Sequence, residues 1–164
     1  MTISVEEEIS ASFSFDYEKI AGDVIRYTIV HEKFPFEAEV NLLLTDDEGI
    51  RLMNKEFRDI DSPTDVLSFP MIHYEAAGDF SQLEADADNF NPDTGEVVLG
   101  DIILNVTRVR QQAESFGHSE LREFAFLIVH SMLHLFGYDH VTDAEAGVME
   151  QVQAEILEDM HILR

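Results

Sequence analysis

The segment HSMLHLFGYDH, residues 130–140, holds three of the chain's seven histidines and decides how the end of one helix folds. His130 and His134 are four residues apart, so on a helix their side chains stand about 40° apart on one face. Gly137 follows three residues after His134, where a glycine with positive φ can end the helix and turn the chain back. The spacing therefore predicts that His140 returns toward the two helical histidines.

Three converging imidazoles are typical of a metal site. Neutral imidazole nitrogens favour zinc or a related transition metal at roughly 2.0–2.1 Å, and three protein ligands leave a position open for water. We therefore predict that His130, His134 and His140 bind one zinc ion, or another transition metal, per chain. The alternative, hydrogen-bonded core histidines, accounts less well for three at this spacing. For Asp139, orienting a ligand imidazole and simply facing solvent remain equally open.

The same spacing matches the metzincin protease pattern H-E-x-x-H-x-x-G-x-x-H at every position but one. Ser131 stands where the protease has its glutamate. A serine hydroxyl cannot take a proton from metal-bound water at neutral pH as a carboxylate can. The protease interpretation therefore loses its general base, while the metal interpretation survives. The acids that follow are explained by Thr142 and Glu145, which predict a capping box for the last helix.

Composition sets the wider bounds. The chain has 164 residues, 45% of them hydrophobic, which predicts one globular domain over residues 1–164. Without cysteine, neither disulfides nor thiolate metal sites are available, which suits a reducing cytoplasm. No targeting segment is recognisable, and no window approaches the roughly 20 apolar residues of a membrane span. We expect a cytoplasmic protein without a membrane partner.

The charge balance disfavours general nucleic-acid binding. A formal net charge of −24 repels RNA at long range, which argues against a protein that coats RNA. A local basic site remains open, because arginines fall in two segments. These are Arg51 and Arg58 in one, and Arg108, Arg110 and Arg122 in the other. For all of them except Arg58, scattered surface positions are an equally good interpretation.

Hydrophobic periodicity predicts four strands and five helices. Strands are expected at residues 2–10, 40–44, 64–70 and 96–106, and helices at 15–30, 45–57, 105–116, 119–136 and 143–160. Thr45 with Glu48 predicts a capping box for the second helix, and Ser119 a cap for the fourth after a helix stop at Gly117. Gly100 predicts a bulge or a close backbone approach inside the fourth strand.

Two further patterns are informative. Residues 75–96 are rich in Asp and Asn and contain neither Lys nor Arg, which predicts an exposed acidic loop or insertion. In the last helix, Val148, Val152, Ile156 and Leu157 recur at helical spacing and predict its buried face.

Three separated motifs resemble the YbeY family of bacterial rRNA maturation factors, which are metal-dependent, single-strand-specific endoribonucleases. They are FRDIDSPTDVLSFP at 57–70, LGDIILN at 99–105, and HSMLHLFGYDH followed by Glu145, Met149 and Glu155. The resemblance spans most of the chain, although Ser131 stands where many members have glycine. It implies an α+β fold with a small mixed sheet flanked by helices, zinc on the three histidines, and an essential arginine at Arg58.

The resemblance also implies a function and partners: cleavage of single-stranded RNA in rRNA maturation and ribosome quality control, with the ribosome or ribosome-associated proteins, and no DNA, as partners. Cleaving a phosphodiester builds negative charge on phosphoryl oxygens, which a metal and a guanidinium can stabilise. The alternative for Arg58 is a structural ion pair with Asp59, Asp61 or Asp65. Two other functions stay open, namely a metal-dependent hydrolase of another substrate such as a peptide, and a ribosome-associated protein whose metal is structural.

Overall fold

The protein has an α+β fold built on one mixed sheet, seen in a computed structural model that describes residues 1–163. The strands are β1 (Thr2–Glu7), β2 (Ala38–Thr45), β3 (Val66–Pro70) and β4 (Val97–Asn105). They are ordered β1–β2–β4–β3, with β1, β2 and β4 parallel and β3 antiparallel to β4. The predicted fold class, with a mixed four-stranded sheet, is confirmed, and β3 is an edge strand.

The part of the chain that the structure describes has five α-helices. They are α1 (Tyr17–His31), α2 (Asp47–Arg58), α3 (Val106–Phe116), α4 (Glu120–Leu135) and α5 (Asp143–Asp159). Helix α4 is the central helix of the core and contacts α1, α3, α5, β3 and β4. Its side chains Phe124, Ile128 and Met132 are fully buried. This explains why the sequence of α4 is apolar around most of its circumference rather than along one stripe.

The two faces of the sheet are buried unequally. Alternate strand residues point to opposite faces, so Leu42 and Ile102 join the main core under α1 and α4. On the other face Ile103 belongs to a small cluster with Ile50 of α2 and Leu67 of β3. Helix α2 thus lies on the face opposite α4, and the edge strand β3 runs between the two helices.

Gly100 has both of the predicted properties. The register of β2 against β4 shifts at this point, and φ at Gly100 is 143°, a value that L side chains rarely adopt. A Cβ atom there would lie 2.2 Å from the carbonyl oxygen of Phe69 on β3. A glycine is therefore required for β3 to pair closely with β4.

The predicted cap of α2 is wrong by one residue. Asp46 is the N-cap and accepts the backbone N–H of Gly49 at 2.9 Å. Thr45 is fully buried at the end of β2, where its hydroxyl donates to Glu8 at 2.8 Å. Thr and Asp are both common N-cap residues, so residue type does not distinguish Thr45 from Asp46. Because Thr45 is buried, Asp46 is the cap.

The caps of the later helices follow the prediction. Ser119 accepts the N–H of Arg122 at 3.1 Å, and Gly117 ends α3 with φ of 70°. Thr142 accepts the N–H of Glu145 at 3.1 Å and donates its hydroxyl to the carboxylate of the same residue at 3.2 Å.

The buried face of α5 is rotated from the predicted one. Ile156 and Leu157 are buried as expected, but Val148 is exposed and Val152 only half-buried. The other buried positions are Met149 and Gln153. Because Gln153 is polar, hydrophobicity alone does not show that this position lies on the buried face of α5. Its side chain contacts His130 of α4.

The segment 75–96 contains two short 3₁₀ helices, Leu83–Ala85 and Ala87–Asn89. Most of its carboxylates are exposed, whereas Leu83 is buried and Phe80 and Phe90 pack on the main core. The acidic side chains therefore belong to a segment whose apolar residues Phe80, Leu83 and Phe90 pack on the core. No helix among the described residues is both long and apolar enough to cross a membrane.

Candidate metal centre

The end of α4 brings the three histidines together. The N–H of Tyr138 bonds to the carbonyl of Leu133 at 3.0 Å, which folds the chain back after the helix. Gly137 supplies the positive φ of 93° that this reversal needs. A Cβ at Gly137 would lie 3.0 Å from the Tyr74 ring, so the turn also admits close packing by the 71–74 loop. His140 then lies opposite the helical histidines.

The geometry of the three imidazoles is that of a chelate. The Nε2 atoms of His130 and His134 lie 3.1 Å apart. One ligand atom from each of His130, His134 and His140 lies within 4.8 Å of the others. In a tetrahedral site with nitrogens at roughly 2.0–2.1 Å from the ion, two ligand atoms are about 3.3–3.4 Å apart. The three side chains can therefore hold one metal ion, and their nitrogen donors suit a zinc-like ion.

Hydrogen bonds behind the rings fix which nitrogens face the centre. The carbonyl of Tyr138 lies 2.9 Å from His134 Nδ1. Since a carbonyl only accepts, Nδ1 carries the proton and Nε2 keeps its lone pair for a metal. Nε2 of the Gln153 amide lies 2.8 Å from His130 Nδ1. When His130 binds a metal through Nε2 its proton is on Nδ1, and a 180° turn of this amide, which exchanges its oxygen and nitrogen, then lets the oxygen accept that proton and hold His130 in the same tautomer.

Electrostatics keep the two helical imidazoles neutral. Burial lowers the pKa of His130 to about 4, with smaller contributions from the neighbouring His134 and His140, against an opposing effect of Asp65. Burial also lowers the pKa of His134, although the bond to the Tyr138 carbonyl opposes this. Metal ligation requires the neutral imidazole, so both rings are ready to coordinate at neutral pH.

Ser131 lies on the wrong side of α4 to take part. It is fully buried, and its hydroxyl has no hydrogen-bond partner among the described residues. The residue at the glutamate position of the metzincin pattern is thus in the core. Asp139, for which two roles were open, is exposed and accepts the backbone N–H of His140 at 2.8 Å, so its carboxylate stabilises the turn.

An open cleft of about 880 Å³ leads to the histidines. One wall carries His130, His134 and His140, and the other is the edge of β3 with Arg58. Among the lining residues of the described chain, Arg58 is the one arginine or lysine. The structure thus brings all four predicted site residues to one cleft. Thr64 and Ser68 also line the cleft, whereas Ser62 does not.

The position of Arg58 follows from the way α2 ends. Asp59 adopts a left-handed conformation with φ of 58°, and the N–H of Ile60 reaches back to the carbonyl of Asn54 at 3.2 Å. The buried Asn54 side chain also holds the carbonyl of Ser62 at 2.9 Å, which fixes the following turn. Arg58, the last residue of α2, is thereby held beside the edge strand.

The guanidinium of Arg58 is held without an acid. It donates to the carbonyl of Ser68 at 2.8 Å and lies over the Phe69 ring, 5.4 Å from the centroid. Asp61, one of the acids considered as its ion-pair partner, pairs with Arg51 and with Lys55 instead. One N–H of five is used on Ser68, which leaves donors free toward the cleft.

Arg108, Arg110 and Arg122, the second group of arginines in the sequence, are engaged away from the cleft. Arg108 pairs with Asp47 at 3.3 Å, and Arg122 donates to the carbonyl of Ile162 at 2.7 Å. Arg110 lies near Glu120 at 3.9 Å.

Sequence reasoning missed three residues around the centre. Gln153 and Tyr138 support ligand histidines, and the Tyr74 ring lines the cleft. Gln153 left one readable signal, since it is a polar residue within an otherwise apolar stripe of α5. Tyr138 acts through its backbone carbonyl, which no side-chain pattern reveals.

The fold and the cleft define a class: small α+β proteins with a three-histidine group that can hold a metal beside an arginine. A solved neighbour, the solution structure of TM1509 from Thermotoga maritima, shares this fold with a TM-score of 0.57 and 21% identity. The match covers 98% of this chain and 92% of the neighbour. A model of the family Endoribonuclease YbeY matches residues 3–161.

Two relatives have the same description. Endoribonuclease YbeY of Agathobacter rectalis is 60% identical over 165 positions, and that of Lachnospira eligens 52% identical over 169 positions. Both matches cover 100% of this chain and 100% of the relative. The chain therefore belongs to the endoribonuclease YbeY family.

Proposed function

We propose that this protein is a metal-dependent endoribonuclease that cleaves single-stranded RNA, working in the cytoplasm on ribosomal RNA during its maturation and quality control. One observation carries the proposal: a three-histidine group and Arg58 face each other across an open cleft. Membership of the family supports the reaction, because its members are described as endoribonucleases. We further propose that residues 1–164 act as one domain.

His130, His134 and His140 are the proposed metal ligands, with zinc as the expected ion. When bound, the ion supplies Lewis-acid stabilisation of phosphoryl oxygens and acidifies a water molecule. The protein's part is to hold two of the three rings in fixed tautomers, through Gln153 behind His130 and the Tyr138 carbonyl behind His134. The carboxylate of Asp65 also lines the cleft and adds negative charge near His130, which favours a cation there.

Arg58 is the proposed catalytic residue on the opposite wall. Its bond to Ser68 and its contact with Phe69 fix the guanidinium before substrate arrives. The remaining N–H donors can hydrogen-bond to two oxygens of a phosphodiester. Such preorganised donors stabilise the negative charge that develops in the transition state. Since Arg58 supports no buried acid, its removal should affect catalysis more than folding.

Purified protein loaded with zinc provides the test, with a single-stranded RNA, the matching duplex and a peptide library as substrates. We expect cleavage of the single strand alone, and loss of cleavage in Arg58→Ala with metal content and fold unchanged. Lys55→Ala is the matched control, because it removes one positive charge from the same helix outside the cleft. Peptide cleavage without RNA cleavage would contradict the proposal, as would full activity in Arg58→Ala.

The same assay addresses the non-catalytic alternative. A ribosome-associated protein with a structural metal would bind metal and cleave none of the three substrates. Because the net charge is −24, free RNA should bind weakly, and contacts with the ribosome or its proteins are proposed to supply the missing affinity.

A further inference from the structure

An exposed phenylalanine stands next to Arg58 and has no role in the core. Phe57, in the last turn of α2, is 63% exposed. It is absent from both hydrophobic clusters, whereas Phe69 packs on the smaller one. A singly exposed aromatic ring is common on protein surfaces. Phe57 is distinguished by its neighbour in the chain, Arg58, which lines the cleft.

Phe57, Phe69 and Arg58 form a continuous unit. The Phe57 ring packs edge-on against Phe69, with centroids 5.6 Å apart and planes at 68°. The Arg58 guanidinium lies over the same Phe69 ring at 5.4 Å. Arg58 lines the cleft and the two phenylalanines do not, so this unit leads from the wall of the cleft to the surface of α2. We call Phe57 and Phe69 together the aromatic platform.

From this arrangement we propose that the aromatic platform binds a nucleobase of single-stranded RNA by stacking on Phe57, beside the phosphate that Arg58 holds. The inference rests on the proposed function and adds a base-binding subsite to it. Phe69 fixes the Phe57 ring from one edge, and the exposed surface of Phe57 is available to the base. Stacking on aromatic rings accepts every base and so gives little sequence preference.

The charge of the protein makes such a subsite useful. With a net charge of −24, the protein does not attract RNA at long range, and Arg58 in the cleft attracts it only at short range. Stacking does not depend on ionic attraction, so it can supply affinity at any salt concentration. It also selects single strands, because the bases of a duplex are already stacked on each other.

Two measurements test the platform, in wild type, Phe57→Leu, Phe57→Trp and Phe116→Leu. Phe116 is the matched control, because it is also a helix-terminal phenylalanine, is 57% exposed, and is not next to a residue that lines the cleft. The first measurement is binding of a short RNA containing 2-aminopurine, in the presence of a chelator that prevents cleavage. The second is cleavage of RNAs in which one nucleotide at a time is made abasic.

The platform predicts quenching of 2-aminopurine by wild type, Phe57→Trp and Phe116→Leu, and its loss in Phe57→Leu. Affinity for single-stranded RNA should fall about 10- to 100-fold in Phe57→Leu, by the same factor at low and high salt. Wild type should be sensitive to an abasic residue at one fixed distance from the cut, and Phe57→Leu should lose that sensitivity.

Equal quenching and equal affinity in wild type and Phe57→Leu would overturn the platform while leaving RNA cleavage intact. Quenching that depends on Phe57 without any cleavage would instead support the platform and overturn the proposed activity. The two failures are therefore distinguishable. Circular dichroism of each variant checks folding, and Phe57→Trp keeps an aromatic ring at the position.

Discussion

Replacing Gln153 with methionine tests whether the residues behind the histidines control metal binding. The Gln153 side chain is buried and lies 2.8 Å from His130 Nδ1. Methionine has a similar length but no strong acceptor, so the Nδ1–H of His130 would lose its partner and the ring its fixed tautomer. Loss of such an outer partner weakens metal affinity by about 10- to 100-fold. This corresponds to about 1.4–2.8 kcal/mol of binding free energy.

The weaker binding should be visible as lost thermal stabilisation by metal. At a free zinc concentration well above the dissociation constants of wild type and Gln153→Met, zinc should stabilise the folded variant less than the folded wild type. The difference is the same, about 1.4–2.8 kcal/mol. For a protein of this size, about 2–4 °C of melting temperature corresponds to each kcal/mol, so the gain from zinc should shrink by about 3–11 °C. Without metal, Gln153→Met should differ much less from wild type.

The assay is chelator competition for affinity, with thermal melting at fixed free zinc. Gln151→Met is the matched control, since Gln151 lies on the exposed face of the same helix. Gln153→Glu should retain affinity, because a carboxylate can accept the Nδ1–H. Equal zinc affinity in Gln153→Met and wild type would show that the amide does not orient His130.

Three other predictions concern different parts of the molecule. Gly100→Ala should destabilise the fold by more than about 3 kcal/mol, because its Cβ would meet the Phe69 carbonyl oxygen and its φ suits only glycine; a chemical denaturation curve like that of wild type would refute this. Arg58→Ala should lower the single-turnover cleavage rate about 100- to 1,000-fold without changing the metal content, and an unfolded or metal-free variant would make Arg58 structural. Asp86→Asn combined with Asp88→Asn should strengthen RNA association at low salt and less at high salt; equal affinities at every ionic strength would show that the acidic segment does not govern access.

Much of the fold follows from local sequence signals. Helices and strands with strong periodicity were predicted within a few residues, and Gly100, Gly117 and Ser119 behave as their chemistry requires. The errors lie where burial decides between chemically similar choices. Thr45 and Asp46 are both good N-caps, and only packing shows that Thr45 is buried against Glu8.

Part of the site could also be predicted from local sequence signals. His130, His134 and His140 are close in sequence, so helical spacing and one glycine suffice to bring them together. Arg58 was predicted from the family resemblance. It precedes His130 by 72 residues in the chain, so sequence spacing alone cannot show that the two side chains line one cleft. The supporting contacts of Gln153 depend on how α5 packs against α4, which is a tertiary property.

We propose that RNA cleavage depends on a metal held by the three histidines. A zinc titration of chelator-treated protein tests this dependence, with bound metal and cleavage of single-stranded RNA measured in parallel for wild type and His134→Ala. His161→Asn serves as the control, because His161 is exposed and lies outside the cleft. We expect that activity in wild type and His161→Asn rises with bound zinc up to one ion per chain, and that His134→Ala shows neither binding nor activity. Equal metal content in wild type and His134→Ala, or full cleavage by the chelated wild type, would contradict it.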